Sequence, residues 1–139
     1  MKTKPFVRQI NYYETDQMAI VHHSNYIRFF EEARLDYMKQ LDLDYRELEN
    51  MGIIIPVLSV DCRYRKPLRF GDEAVIRVAM TRYDGVKMEF RYEITDPTGQ
   101  ILYTTGHTGH CLLDRDMKPI RMKRAFPELY TRLKEAVEA

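Results

Sequence analysis

The feature that most constrains the fold of this chain is one long amphipathic segment between residues 24 and 41. Apolar side chains recur in it every three or four residues, which is the spacing of a single helix face. Ser24 and Asn25 stand at its start and are the candidate N-caps. A helix of about 18 residues is roughly 27 Å long, so it needs a large surface to cover its apolar face. That face consists of Tyr26, Phe30, Ala33, Tyr37 and Leu41.

Strand-like runs in the rest of the chain can supply that surface. We predict strands at residues 6–12, 53–65, 73–83, 88–94 and 101–113, and short helices at 45–50 and 126–137. Asp84-Gly85 and the DPTG sequence at 96–99 are turn signals between the last three strands, which favours an antiparallel meander there.

One long apolar helix followed by a long-stranded antiparallel sheet indicates an α+β fold in which the sheet curls around the helix. A length of 139 residues suits one domain, spanning residues 1–139. An unpaired edge of such a sheet needs a cover, and a second copy of the chain can provide it. We therefore expect a symmetric dimer.

Charge and apolar content argue against several functions. The net charge of +1 lacks the strongly basic footprint of generic nucleic-acid binding. The longest strongly apolar run, at residues 53–58, is interrupted by Pro56 and is far shorter than the ~20 residues that cross a bilayer. No apolar stretch typical of a secretory signal follows the first residues. Cys62 and Cys111 form no CxxC pair, which predicts two reduced, buried thiols in a cytoplasmic protein.

Most other candidate motifs have little chemical specificity. His107 and His110 are three residues apart in a predicted strand, so they should face opposite sides of the sheet and share no metal. Neither Ser24 nor Ser59 lies in a nucleophile elbow, and no Gly-rich phosphate loop is present. Basic clusters at residues 63–69 and 115–124 fit either a solvated surface or a site for an anionic ligand such as a nucleotide phosphate.

The loop that enters the long helix is the candidate site for chemistry. It contains Asp16, and His22 and His23 stand immediately before the helix. The first amides of a helix lack intrahelical partners, so they can stabilise an oxyanion. A nearby carboxylate could attack a carbonyl or activate water. The alternative is structural, because an Asp in this position is commonly a turn former or a cap, and the residues alone do not establish an enzyme.

Four blocks of the sequence carry a resemblance to a known family. They are YETD at 13–16, IVHHSNY at 20–26, FEEAR at 30–34 and RYRKPLRFGD at 63–72. Together they resemble the hot-dog thioesterases of the 4-hydroxybenzoyl-CoA thioesterase class. The likeness is greatest to the bacterial acyl-CoA thioester hydrolase branch that is often associated with the Tol–Pal system.

The resemblance implies a hot-dog fold, in which a curved antiparallel sheet wraps one long helix, and an acyl-CoA thioesterase activity. It implies homodimers or homotetramers with active sites between subunits, and no metal or bound cofactor. Asp16 would be the nucleophile or the general base. The backbone amide of His23 would polarise the thioester carbonyl, and its imidazole would assist. The substrate-binding candidates are Tyr13, Tyr26, Ser59, Arg63, Arg65 and Lys66.

One residue departs from the family pattern. Ala19 stands where these thioesterases usually have Gly. Its methyl group would restrict the loop if the position requires a positive φ, and it could narrow the space beside the thioester.

Two other functions fit the same residues. An acyl carrier protein is acidic, so a thioesterase acting on that carrier would also use the basic clusters. A non-catalytic acyl-CoA binding module on the same fold would bind the ester without hydrolysis and without dependence on Asp16.

Overall fold

The structure is a computed structural model, and it describes residues 3–138. A five-stranded antiparallel sheet has the order β1-β3-β4-β5-β2, so β1 and β2 are its edges. A short 3-10 turn at Tyr12–Glu14 follows the first strand. The elements are β1 (Phe6–Gln9), α1 (Ser24–Gln40), α2 (Tyr45–Asn50), β2 (Val57–Tyr64), β3 (Glu73–Tyr83), β4 (Lys87–Thr95), β5 (Leu102–Cys111), α3 (Met122–Ala125) and α4 (Pro127–Ala136).

Helix α1 buries its apolar face against the sheet. Phe30 of α1 stacks on Tyr92 of β4 with ring centroids 4.4 Å apart, and both side chains are fully buried. Gly106 of β5 permits this approach, since a Cβ there would lie 2.5 Å from the Phe30 ring. Burial of each large apolar side chain stabilises the fold by about 1.5–3 kcal/mol. The predicted α+β architecture, with one long helix against an antiparallel sheet, is confirmed.

Several element boundaries differ from the predictions. Strand β1 ends at Gln9 rather than at residue 12, and a 3-10 turn at Tyr12–Glu14 takes up the end of the predicted strand. Strand β2 begins at Val57 rather than at residue 53, because Pro56 has no N–H to donate to a ladder. The N-cap of α1 is His23, so the prediction of Ser24 or Asn25 is wrong. The short helix α3 at Met122–Ala125 was not predicted, whereas Pro127 does begin α4 in its first turn as expected.

A chain of polar groups crosses the core between α1 and the sheet. The Arg34 Nη1 donates to the Tyr92 hydroxyl (3.1 Å), which lies 2.6 Å from the Thr108 Oγ1. The His110 Nε2 lies 2.8 Å from the same Thr108 Oγ1, and its Nδ1 lies 3.2 Å from the Pro56 carbonyl oxygen. Because a carbonyl only accepts, Nδ1 carries the proton and the whole chain donates in one direction, from Arg34 to Pro56.

His110 is therefore a neutral core residue. It is 1% exposed. Burial, followed by the nearby charge of Arg34, lowers the pKa of His110 to about 4. His107 is exposed on the other face and pairs with Asp61 at 3.1 Å. The prediction that the two histidines face opposite sides of the sheet is confirmed.

Strand β2 is the exposed edge of the sheet. It pairs only with β5, and a bulge interrupts the register between Val57 and Ser59. Val57, Leu58 and Val60 are 52%, 56% and 40% exposed, which leaves apolar side chains beside an unpaired row of backbone groups. Between residues 3 and 138, none of the helices has the length and apolar character to cross a membrane.

Candidate active site

A tight turn presents Asp16 ahead of α1. The Asp16 N–H donates to the Ile20 carbonyl (2.8 Å) and the Ala19 N–H donates to the Asp16 carbonyl (2.9 Å). The Met18 N–H donates to the Asp16 Oδ1 (2.8 Å), so the side chain also stabilises its own turn. Asp16 thus acts as a turn former, the structural alternative named in the sequence analysis. Its other carboxylate oxygen, Oδ2, accepts no hydrogen bond from the described residues.

Ala19 closes this turn with a φ of +64°, in the left-handed region that favours glycine. A methyl group there costs about 1 kcal/mol relative to glycine. The position therefore does require the positive φ that the sequence comparison with the family suggested.

The start of α1 leaves one amide open. The His22 N–H donates to the Glu14 carbonyl (2.9 Å), and the Asn25 N–H donates to the His22 carbonyl (3.0 Å). The Ser24 N–H donates to the His22 Nδ1 (3.2 Å), so the His22 side chain, which precedes the N-cap residue His23, satisfies this amide. Within residues 3–138 the His23 N–H has no hydrogen-bond acceptor. This amide lies at the positive end of the helix dipole, where a free N–H suits a developing oxyanion.

Asp16 and His23 line one cavity of about 340 Å³. Its walls are mainly apolar and include Met18, Ile20 and Pro67, with Tyr26 and Tyr64 as an aromatic corner whose ring centroids lie 4.9 Å apart. Burial raises the pKa of Tyr26, so its hydroxyl stays protonated at neutral pH. The cavity also contains the two basic residues Arg65 and Lys66.

Five of the eight candidate residues therefore meet in this cavity, namely Asp16, His23, Tyr26, Arg65 and Lys66. Tyr13, Ser59 and Arg63 are not among its lining residues. The Tyr13 side chain is 81% exposed, and its hydroxyl accepts a hydrogen bond from the Asn11 amide.

Ser59 and Arg63 lie on the outward face of β2. Cys62 pairs with Gly106, whose Cα faces Phe30 of the helix, so the inward residues of β2 are Cys62 and its alternates. Side chains alternate between the two faces of a strand, so Ser59, Asp61 and Arg63 point away from the helix. Asp61 confirms this orientation, because it pairs with the exposed His107.

Sequence reasoning missed Tyr64 as a cavity residue. It lies two residues after Cys62, on the inward face at the end of β2. Strict alternation from Cys62 could have placed it there, but only with the knowledge of which face of β2 points inward.

The described residues contain no group of three or more His, Cys, Asp or Glu side chains that could hold a metal ion. The cavity offers instead a carboxylate, a free helix amide and two cations. A carboxylate close to a helix-terminal amide can activate water or attack a carbonyl while the amide holds the negative oxygen.

Comparison with known proteins identifies the family. The profile of the Thioesterase-like superfamily matches residues 10–135. This chain belongs to the Thioesterase-like superfamily. It is 34% identical over 128 residues to the putative acyl-CoA thioesterase YneP of Bacillus subtilis (strain 168), covering 92% of this chain and 93% of that protein. It is 24% identical over 120 residues to the acyl-CoA thioester hydrolase YbgC of Escherichia coli O157:H7, covering 86% and 87%.

Solved structures of the superfamily share the fold. The DHNA-CoA thioesterase of Staphylococcus aureus superposes with a TM-score of 0.88 at 32% identity, over 95% of this chain and 89% of that one. The hot-dog fold and the thioesterase class, both expected from the sequence resemblance, are thereby confirmed.

Proposed function

We propose that this thioesterase hydrolyses acyl-CoA esters to a free acid and CoA, with Asp16 as the catalytic carboxylate. One observation carries the proposal: Asp16 lines the same cavity as His23, whose backbone N–H has no acceptor among residues 3–138. The names of YneP and YbgC support a CoA ester as the substrate.

The geometry supports a simple division of labour. The thioester carbonyl oxygen accepts a hydrogen bond from the His23 N–H, which stabilises the negative charge of the tetrahedral intermediate. Asp16 either attacks the carbonyl carbon, giving a mixed anhydride that water then cleaves, or removes a proton from an attacking water. The CoA thiolate leaves in either case and takes up a proton. The His23 imidazole orients the ester or the water.

The basic residues of the cavity fit the anionic part of CoA. Arg65 and Lys66 stand at its wall, where they can pair with phosphate oxygens. CoA is far larger than a 340 Å³ cavity. Tyr13, Ser59 and Arg63 are therefore proposed as contacts only for the part of the substrate that extends beyond it.

The assembled enzyme is proposed to be a homodimer, or a homotetramer built from such dimers, with active sites between subunits. The exposed apolar edge of β2 supports pairing with a second β2. Light scattering after size exclusion tests this: wild type should elute as a dimer or a tetramer. Leu58→Glu should shift it toward monomer, and a monomeric wild type would contradict it.

Four finer points also belong to the proposal. We propose that the chain is a single hot-dog domain. Its motifs and its likeness to YbgC support its place in the 4-hydroxybenzoyl-CoA thioesterase class, in the Tol–Pal-associated acyl-CoA thioester hydrolase branch. We place it in the cytoplasm, which agrees with two free cysteines.

Release of free thiol from a panel of acyl-CoA esters tests the reaction. The panel runs from short aliphatic through long-chain to aryl and phenacyl esters, with Asp16→Asn beside wild type. Hydrolysis by wild type that Asp16→Asn lacks supports the assignment. Saturable binding without hydrolysis contradicts it and indicates a binding module. Hydrolysis of carrier-protein esters alone contradicts CoA as the carrier.

The His23 amide and imidazole can be separated by substitution. His23→Gln keeps the backbone N–H and removes the imidazole. A loss of about tenfold in kcat with folding intact would assign the side chain a catalytic share, whereas an unchanged kcat would leave the amide as the only contribution of His23.

A further inference from the structure

Glu14 is a buried carboxylate two residues before Asp16. It is 5% exposed and does not line the active-site cavity. Its Oε1 accepts from the Arg8 Nη1 of β1 (2.9 Å) and from the Asn11 backbone N–H (2.8 Å). A charge in such a place is stable only when it is paired and hydrogen-bonded, and these two donors supply both.

The backbone of Glu14 reaches the helix that holds the oxyanion amide. Its carbonyl accepts from the His22 N–H (2.9 Å) and from the buried Asn25 Nδ2 (2.9 Å). His22 precedes His23, and Asn25 lies in the first turn of α1. One residue therefore joins the Asp16 turn to the amino end of the helix.

Arg8 extends this connection into the core. Its guanidinium lies 4.3 Å from the centroid of the Phe29 ring, and its Nε pairs with the Glu32 Oε1 of α1 at 2.8 Å. Burial lowers the pKa of Arg8, but the hydrogen bond to Glu14 and the charges of Glu32 and Glu14 outweigh it and raise that pKa. Arg8 is thus permanently charged and clamps Glu14 between the first strand and the helix.

We propose that Glu14 is a positioning residue, which holds the Asp16 carboxylate in register with the free His23 N–H. The inference rests on the proposed hydrolysis by Asp16. Glu14 touches neither substrate nor reacting atoms; it acts by fixing two groups that must meet one carbonyl. A misplacement of about 1 Å can lower a rate by about 100-fold, so a loosened anchor should reduce turnover more than binding.

The structure offers a matched pair of variants. Glu14→Gln keeps the size of the side chain but removes the charge that Arg8 bonds. Glu32→Gln removes the charge of the other carboxylate that pairs with Arg8. The Glu32 side chain is 42% exposed, and its ion pair with Arg8 does not involve the Asp16 turn. Both change the charge of the protein equally.

Steady-state thiol release at a temperature well below unfolding compares the two. We expect Glu14→Gln to lower kcat about tenfold or more, with KM within about threefold of wild type, and Glu32→Gln to keep both constants. A kcat for Glu14→Gln within about twofold of the Glu32→Gln value would overturn the proposal. So would an equal loss in both variants, which would indicate a general effect of Arg8 pairing.

Two further measurements keep the test decisive. If Glu14→Gln does not fold, Arg8→Lys takes its place, since it keeps a charge but cannot bridge two carboxylates. The same kcat loss beside an unchanged kcat in Glu32→Gln supports the proposal, and a wild-type kcat in Arg8→Lys, or an equal loss in Glu32→Gln, overturns it. Amide exchange of His22 should quicken about tenfold in Glu14→Gln but not in Glu32→Gln. If the wild-type protein hydrolyses no ester, the proposed function is refuted. The difference in the His22 amide-exchange rate between the two variants would still test whether Glu14 anchors the start of the helix.

Discussion

Helix α1 has polar groups at two places, and the protein treats them in opposite ways. Among the described residues, the His23 N–H at its amino end has no acceptor and one oxygen of Asp16 has no donor. In its middle, Arg34 begins a buried chain of hydrogen bonds that runs through Tyr92 to His110. The open groups can bind a reacting ester, whereas the buried chain lies in the core and holds helix and sheet in register.

This difference separates activity from stability along a single helix. Changes to the open groups of Asp16 and His23 should alter turnover with little effect on unfolding, and changes in the buried chain should do the reverse. A variant that moved both together would contradict the separation.

The largest effect is expected for Asp16→Asn. The new side chain can still accept from the Met18 N–H through its oxygen, so the turn should survive. It cannot serve as base or as an effective nucleophile, so kcat should fall 10²–10⁴-fold, about 3–5 kcal/mol. Thiol release and thermal unfolding measure the two quantities. More than about a tenth of the wild-type rate would refute the catalytic role of Asp16.

The next effect concerns His110 and pH. Its pKa is about 4 in the folded chain against an ordinary 6.5, so the unfolded chain binds the extra proton first as pH falls. Its contribution to stability is complete above pH 6.5 and is lost progressively between about 6.5 and 4, by up to about 3 kcal/mol. Denaturant unfolding at pH 7.5 and 4.5 should show a larger loss for wild type than for His110→Gln. The exposed His107→Gln should behave as wild type.

Tyr92→Phe should produce a smaller loss of stability. It removes the hydroxyl between Arg34 and Thr108, and so leaves a buried guanidinium N–H without its acceptor. The expected cost is about 1–3 kcal/mol. The kcat should change less than about twofold, because no atom of Tyr92 lines the active-site cavity. A tenfold fall in kcat with unchanged stability would reverse the interpretation of the buried chain.

Ala19→Gly should have the smallest effect and the opposite sign. Relief of the positive φ at position 19 should stabilise the fold by about 1 kcal/mol, partly offset by the greater entropy of the unfolded glycine chain. The midpoint temperature of thermal unfolding should therefore rise by a few degrees. Met117 also has a positive φ and lies far in sequence from the residues that line the cavity, so it provides the control. Met117→Gly should stabilise the fold without any change in the preferred acyl group.

The sequence by itself determined the elements that depend on local chemistry. The 3.6-residue spacing defined α1, alternation defined β4, and Asp-Gly and Gly turns separated the strands, because each signal lies within a few neighbouring residues. Asp16 and His23 were also predictable as neighbours, since a short turn and the helix start that follows it leave them little freedom to separate.

Only the tertiary structure decided which side chains complete the cavity. Tyr64, Arg65 and Lys66 reach it because β2 pairs with β5, whose paired residues are at least 40 positions away in the chain. The bulge at Val57–Ser59 sets which residues of β2 face the helix. Ser59 and Arg63 face outward for the same reason. A strand has a side-chain period of two, so its register fixes the direction of every side chain. No local pattern in the sequence specifies the register of β2, because its pairing strand β5 is distant in sequence.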